Sequence, residues 1–139
     1  MKIYFSGSIS GGRGRQALYA RIIGALRPMG QVLTEHIGDP SLGVEGESNR
    51  DDRFIHDRDM AWIREADAVV AEVSTPSLGV GYEIARAAEM GKPVLCLRDA
   101  AAGRLSAMIA GCPGVTLRQY ESEEEAIRGA VDFAVLLSC

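Results

Sequence analysis

The feature that most narrows what this chain can fold into is the run Ala68-Val69-Val70-Ala71-Glu72-Val73, followed by TPSLGVGYE at residues 75–83. Such a continuous apolar run reads as a strand buried on both faces, and strands of that kind belong to parallel sheets covered by helices. Pro76, Gly79 and Gly81 mark a turn. A helix is expected from about Val80 to Met90, with Glu83 about one turn inside it and Gly91-Lys92-Pro93 as its stop. A chain that leaves a strand at Ser74 and restarts as a helix leaves the amides of residues 77–81 unpaired and pointing one way. Such an end favours an anion. Ser77 adds a hydroxyl, and the two glycines let a ligand approach the backbone. An anion cradle beside one carboxylate fits chemistry on a phosphorylated small molecule, and a plain strand–turn–helix with a solvated glutamate fits the same residues.

The pattern recurs along the chain. Residues 2–6 read as a first strand ending in GSISGG, and residues 15–29 as a helix burying Leu18, Ile22, Ile23, Leu26 and Met29. Gly30 ends that helix, and a short strand at 31–33 leads into Thr34-Glu35-His36 and a long polar loop to about Arg50. A helix over 51–66, a strand at 94–97, a short helix at 105–109, a strand at 115–119 and a helix over 122–137 follow. Ser122 with Glu125 gives the last helix a capping-box start. The alternation predicts one domain over 1–139, a doubly wound α/β fold of the Rossmann-like or flavodoxin-like kind. It would have about five parallel strands with helices on both faces. Ligands in such folds sit beyond the carboxyl ends of the strands, so GSISGG, TEH and STPSLGVGYE gather on one rim.

Bulk properties exclude several classes. With 139 residues and a net charge of −4, nothing favours nucleic-acid backbones or anionic membranes. No apolar segment is long enough to span a bilayer, and the strand that begins at residue 2 leaves no room for a signal peptide. Three widely spaced cysteines make a disulfide framework unlikely, so the cytosol is the expected compartment.

Taken singly, the other candidates carry little. GSISGG lacks the spacing of a dinucleotide loop or a P-loop. Tyr4 fits a core tyrosine, His36 and His56 have no metal-ligand spacing, and Asp57 and Asp59 fit a solvated helix face. Arg104-Leu105-Ser106-Ala107-Met108 could set a hydroxyl and apolar side chains near a ligand or near a partner subunit.

Taken together, YFSGSISGGR, VLTEH, FIHDRDMAWI, ADAVVAEVSTPSLGVGYEIARA, GKPVLCL and GRLSAMI resemble, in order and spacing, the 2′-deoxynucleoside 5′-phosphate N-hydrolases. Their wider relatives are the nucleoside 2-deoxyribosyltransferases. The likeness reaches to about residue 120. It implies a hydrolase that cleaves the N-glycosidic bond of a deoxynucleoside monophosphate, releasing free base and 2-deoxyribose 5-phosphate. Glu83 would be the nucleophile that forms a glycosyl-enzyme. Tyr4 would orient it and sense C2′, and Asp59 would serve as proton donor and then as base. The resemblance assigns the phosphate to Gly7, Ser8, Ile9, Ser77 and Gly79, with Ser106 entering from a second subunit of a homodimer. It assigns an apolar base slot to Ile9, Ile55, Trp62, Leu105 and Met108, edged by His36. No metal or organic cofactor is implied. Ser10 stands where mammalian-type members carry arginine (GSIRGG), which leaves the preferred base open. A 2-deoxyribosyltransferase and a ribonucleotide (cytidylate-type) N-hydrolase are the alternatives, and tyrosine rather than phenylalanine at position 4 favours deoxyribose.

Overall fold

The computed structural model describes residues 1–9, 15–38 and 50–139. Five parallel strands, β1 (Lys2–Ser6), β2 (Gln31–Val32), β3 (Ala68–Glu72), β4 (Val94–Asp99) and β5 (Val115–Tyr120), form one sheet in the order β2-β1-β3-β4-β5. Helices α1 (Gln16–Leu26), α2 (Asp52–Glu65), α3 (Leu78–Glu89), α4 (Ala107–Ala110) and α5 (Glu123–Ser138) connect or follow them. Short 3-10 turns occupy Arg27–Met29 and Glu35–Gly38.

Strand periodicity divides the core in two. Ile3 and Phe5 of β1 pack with Leu18, Tyr19, Ile22, Ile23 and Leu26 of α1 and the small residues Ala126, Ala130 and Ala134 of α5. Tyr4 points the other way, into Met60 and Ile63 of α2 and Val80, Ile84 and Ala87 of α3. β3 lies in the middle with all five residues buried, which is why its sequence does not alternate. Its one charged residue, Glu72, is fully buried and satisfied: it accepts from the Ser74 amide at 3.0 Å, the Ser74 hydroxyl at 2.6 Å and the Tyr120 hydroxyl at 2.6 Å. A carboxylate in an apolar run thus ties β3 to β5 across β4.

Side-chain caps set four helix starts, that of α4 (Ser106) among them. Asp51 accepts from the Phe54 amide at 2.7 Å, Ser77 from the Val80 amide at 3.3 Å and Ser122 from the Glu125 amide at 3.2 Å. Glu125 reaches back to the Glu121 amide at 3.0 Å rather than to that of Ser122, a shifted version of the expected box. Gly91, at φ 75°, ends α3 in the left-handed region. The chain passes from β1 to β2 on one side and to β3 on the other, so the order reverses between β1 and β3. That reversal positions the site.

Candidate active site

At the switch point, β1 and α3 bring Tyr4, Ser6 and Glu83 together. Tyr4 and Ser6 are two residues apart and share a strand face, and Glu83 reaches down from the second turn of α3. The Tyr4 hydroxyl donates to Glu83 Oε2 in a short hydrogen bond, and the Ser6 hydroxyl donates to Oε1 at 2.9 Å. Both carboxylate oxygens are therefore held by donors from one strand. Glu83 keeps partial exposure toward the cleft, yet loss of water around it raises its carboxyl pKa to about 7. The two hydrogen bonds and the charge of Arg58 pull the other way, and the negative charge of Asp59 adds to the rise. Burial, with Glu83 and Asp59 beside it, pushes the Tyr4 phenol far above its ordinary value, so Tyr4 stays a donor.

Helix α2 supplies the opposite wall. Ile55, Asp59 and Trp62 recur at helical spacing on one face, each half-buried. Arg58 binds Asp59 Oδ1 through Nε and Nη2, both at 3.0 Å. Its guanidinium lies 4.7 Å from the Trp62 ring centre and 5.7 Å from that of Phe54. His36, in the turn after β2, packs against Trp62 with ring centres 5.8 Å apart. Of the residues expected at the edge of the base slot, His36 and Trp62 thus pack together, with Trp62 on the helix that carries Asp59.

The β1–α1 loop is described as far as Ile9; Ser10 and the two glycines after it lie outside the described residues. Gly7 abuts Tyr19 so closely that a Cβ there would sit 2.8 Å from the ring. The Ser8 amide donates to the Tyr19 hydroxyl at 3.1 Å and so is already engaged. The Ser8 hydroxyl is different: fully buried, it has no partner among the described residues. Ile9 packs against the core cluster of α1 and α5, away from Trp62 and Leu105, which lean on the other cluster.

Around Ser77 the structure revises one expectation. Because the Ser77 hydroxyl caps the helix, α3 begins at Leu78, about two residues early. The Val80 amide goes to that hydroxyl and the Gly81 amide to the Ser77 carbonyl at 3.1 Å. Of residues 77–81, the first-turn amides of Leu78 and Gly79 are the ones left for an anion.

Ser77, Gly79, Leu105, Ser106 and Met108 line one cavity of about 790 Å³ between the start of α3 and α4. Glu83, Tyr4 and Asp59 do not line it; they lie toward α2. Ser106 caps α4, accepting from the Met108 amide at 3.3 Å, and Arg98 holds the preceding loop by donating to the carbonyls of Ala102, at 2.7 Å, and Gly103. Within one chain, then, the expected residues fall into two groups on either side of α3.

Three contributors were not singled out from sequence. Ser6 carries a signal, since a polar residue two positions after Tyr4 on a strand must share its face. Arg58 and Tyr19 carry none, because their roles depend on what other elements bring to them.

Comparison with known proteins places the chain in a family. The family model described as nucleoside 2-deoxyribosyltransferase matches residues 3–125. The chain is 54% identical over 128 residues to the 5-hydroxymethyl-dUMP N-hydrolase of Mus musculus, covering 90% of this chain and 74% of that protein. It is 47% identical over 133 residues to the Homo sapiens protein of the same name, covering 94% and 76%. The Tetraodon nigroviridis counterpart is 57% identical over 129 residues, covering 89% and 91%. Among solved structures, a Clostridium botulinum CMP N-glycosidase superposes with a TM-score of 0.71 at 16% identity, over 96% of this chain and 99% of that one, and so shares the fold. The chain belongs to the nucleoside 2-deoxyribosyltransferase family. Within it, the chain is a member of the 2′-deoxynucleoside 5′-phosphate N-hydrolase group.

Proposed function

We propose that this enzyme hydrolyses the N-glycosidic bond of 2′-deoxynucleoside 5′-monophosphates through a covalent intermediate on Glu83. The observation that carries the reading is the Glu83 carboxylate at the switch point, held through both oxygens and paired across the cleft with Asp59. In the first step a Glu83 oxygen attacks C1′, the bond to the base nitrogen breaks with its electron pair, and the base leaves as it takes up a proton. In the second, water attacks C1′ and releases 2-deoxyribose 5-phosphate, restoring the carboxylate. Asp59 serves both steps. As the neutral acid, its pairing with Arg58 loosened, it protonates the departing base; the carboxylate so formed pairs with Arg58 and accepts the proton of water in the second step.

The Ser8 hydroxyl, unpartnered among the described residues, the Ser77 hydroxyl and the first amides of α3 would take the 5′-phosphate. The relatives' names make 5-hydroxymethyl-dUMP the first substrate to test. The assay is chromatographic base release from that nucleotide, the four deoxynucleoside monophosphates, ribonucleotides and unphosphorylated nucleosides, with wild type and Glu83→Ala. Release from deoxynucleotides alone, abolished in the variant, is the expected outcome. Base exchange on unphosphorylated nucleosides, with no release from monophosphates, would make the chain a transferase instead. Release from ribonucleotides in preference would give it the cytidylate-type activity.

A further inference from the structure

Glu83 has two donors, and the one that no motif points to is Ser6. Its side chain is buried at the carboxyl end of β1, in register with Ala71 of β3. Its hydroxyl donates to Oε1 while Tyr4 donates to Oε2. A carboxylate on a helix can rotate about its last torsion, and a donor on one oxygen alone leaves that rotation open. Two donors from residues 4 and 6 of a single strand, spaced by the strand repeat, fix the carboxylate plane against the sheet.

We infer that Ser6 is a positioning residue for the nucleophile: its hydroxyl fixes the carboxylate plane and holds Glu83 in its ionised, attacking form. This inference rests on the reading of Glu83 as nucleophile and deepens it. The groups facing Glu83 are Tyr4 and Ser6 from β1 and Asp59 and Arg58 from α2. Burial and Asp59 favour the neutral acid, which cannot attack, and the donors and Arg58 favour the anion. Tyr4 alone leaves Oε1 without a donor in a site that already penalises charge. Ser6 supplies that donor without adding charge of its own, so the ionised form is favoured with no cation placed against the sugar.

The test compares Ser6→Ala, which deletes the donor, with Ser6→Cys, which keeps the shape and offers a weak S–H donor. For both, kcat/KM is followed from pH 5 to 9, and Glu83 ionisation is read directly by ¹³C NMR of carboxyl-labelled glutamate, with Glu83→Gln to assign the signal. Ser6→Ala is expected to move the acidic limb and the NMR midpoint upward together by about one pH unit. Activity below the limb then falls about tenfold, while that near pH 9 stays within a few-fold of wild type. Ser6→Cys should lie between the two. A loss equal at every pH, with the midpoint unmoved, would make Ser6 a packing residue and overturn the inference. The same holds if neither variant changes rate or midpoint. Should wild type release no base at all, the reading of Glu83 fails, while the NMR midpoints still decide whether Ser6 holds the carboxylate.

Discussion

As the proposed nucleophile, Glu83 answers two opposed demands. A nucleophile must be charged, but removal of water near the sugar penalises charge, and here burial raises the carboxyl from its ordinary 4.5 to about 7. A folded-state pKa above the unfolded one means that the neutral acid is the form the fold tolerates best. The stability it contributes is complete below about pH 4.5, declines as pH rises to about 7 and is gone above that. Glu83→Gln removes this titration. The variant should match wild type near pH 4 and exceed it above pH 7 by about 3 kcal/mol, several degrees in Tm, while being inactive. Thermal melts at pH 4.5, 6 and 8 check this, and a gap that stays constant with pH would refute it. Tyr4→Phe acts on the same balance from the other oxygen. Losing a donor to the charged form should push Glu83 higher still, so the acidic limb of kcat/KM moves upward, as a pH–rate profile would show.

At the scale of elements, Ser77 of α3 combines an observed structural role with the proposed role toward the phosphate. Ser77 caps the helix by accepting from Val80, which leaves its own hydroxyl hydrogen free to face a phosphate. Ser77→Ala should cost about 1 kcal/mol of stability and also raise KM for a phosphorylated substrate. Ser122→Ala removes an equivalent cap from α5, at a residue that does not line the Ser77 cavity, and should cost the same stability with KM unchanged. Equal KM values for the two variants would separate Ser77 from the phosphate. The element was legible in sequence because an unalternating apolar run followed by Pro76, Gly79 and Gly81 admits few other folds. Its start was not, since a cap that satisfies Val80 lets the helix begin before the glycines. The grouping of Tyr4 with Glu83 was legible from the family resemblance. The engagement of the Ser8 amide by Tyr19, the clamp of Arg58 on Asp59 and the lodging of Ile9 against α1 and α5 depend on tertiary placement that no local pattern encodes.

For the whole molecule, the division of the expected site residues to either side of α3 has a consequence. Ser106 and Met108 line the α4-side cavity, while Glu83 and Asp59 do not, so among the described residues the two groups do not share that cavity. In the homodimer that the family resemblance implies, Ser106 would enter the neighbouring cleft and join the two groups. The exposed apolar residues fit that arrangement: Leu78 is 96% and Met108 82% exposed beside the cavity, where burial against a second copy would gain most. Met108→Glu should therefore yield monomers in sedimentation analysis and lose base release. The sharper check mixes two inactive parents. In a dimer of Ser106→Ala with Glu83→Ala chains, one cleft combines Glu83 from the first with Ser106 from the second and is intact. Random exchange makes about half of the dimers mixed, so roughly a quarter of wild-type activity should return. If each cleft used its own Ser106, no mixed dimer would hold an intact site. Activity would then stay at the parental level despite verified subunit exchange.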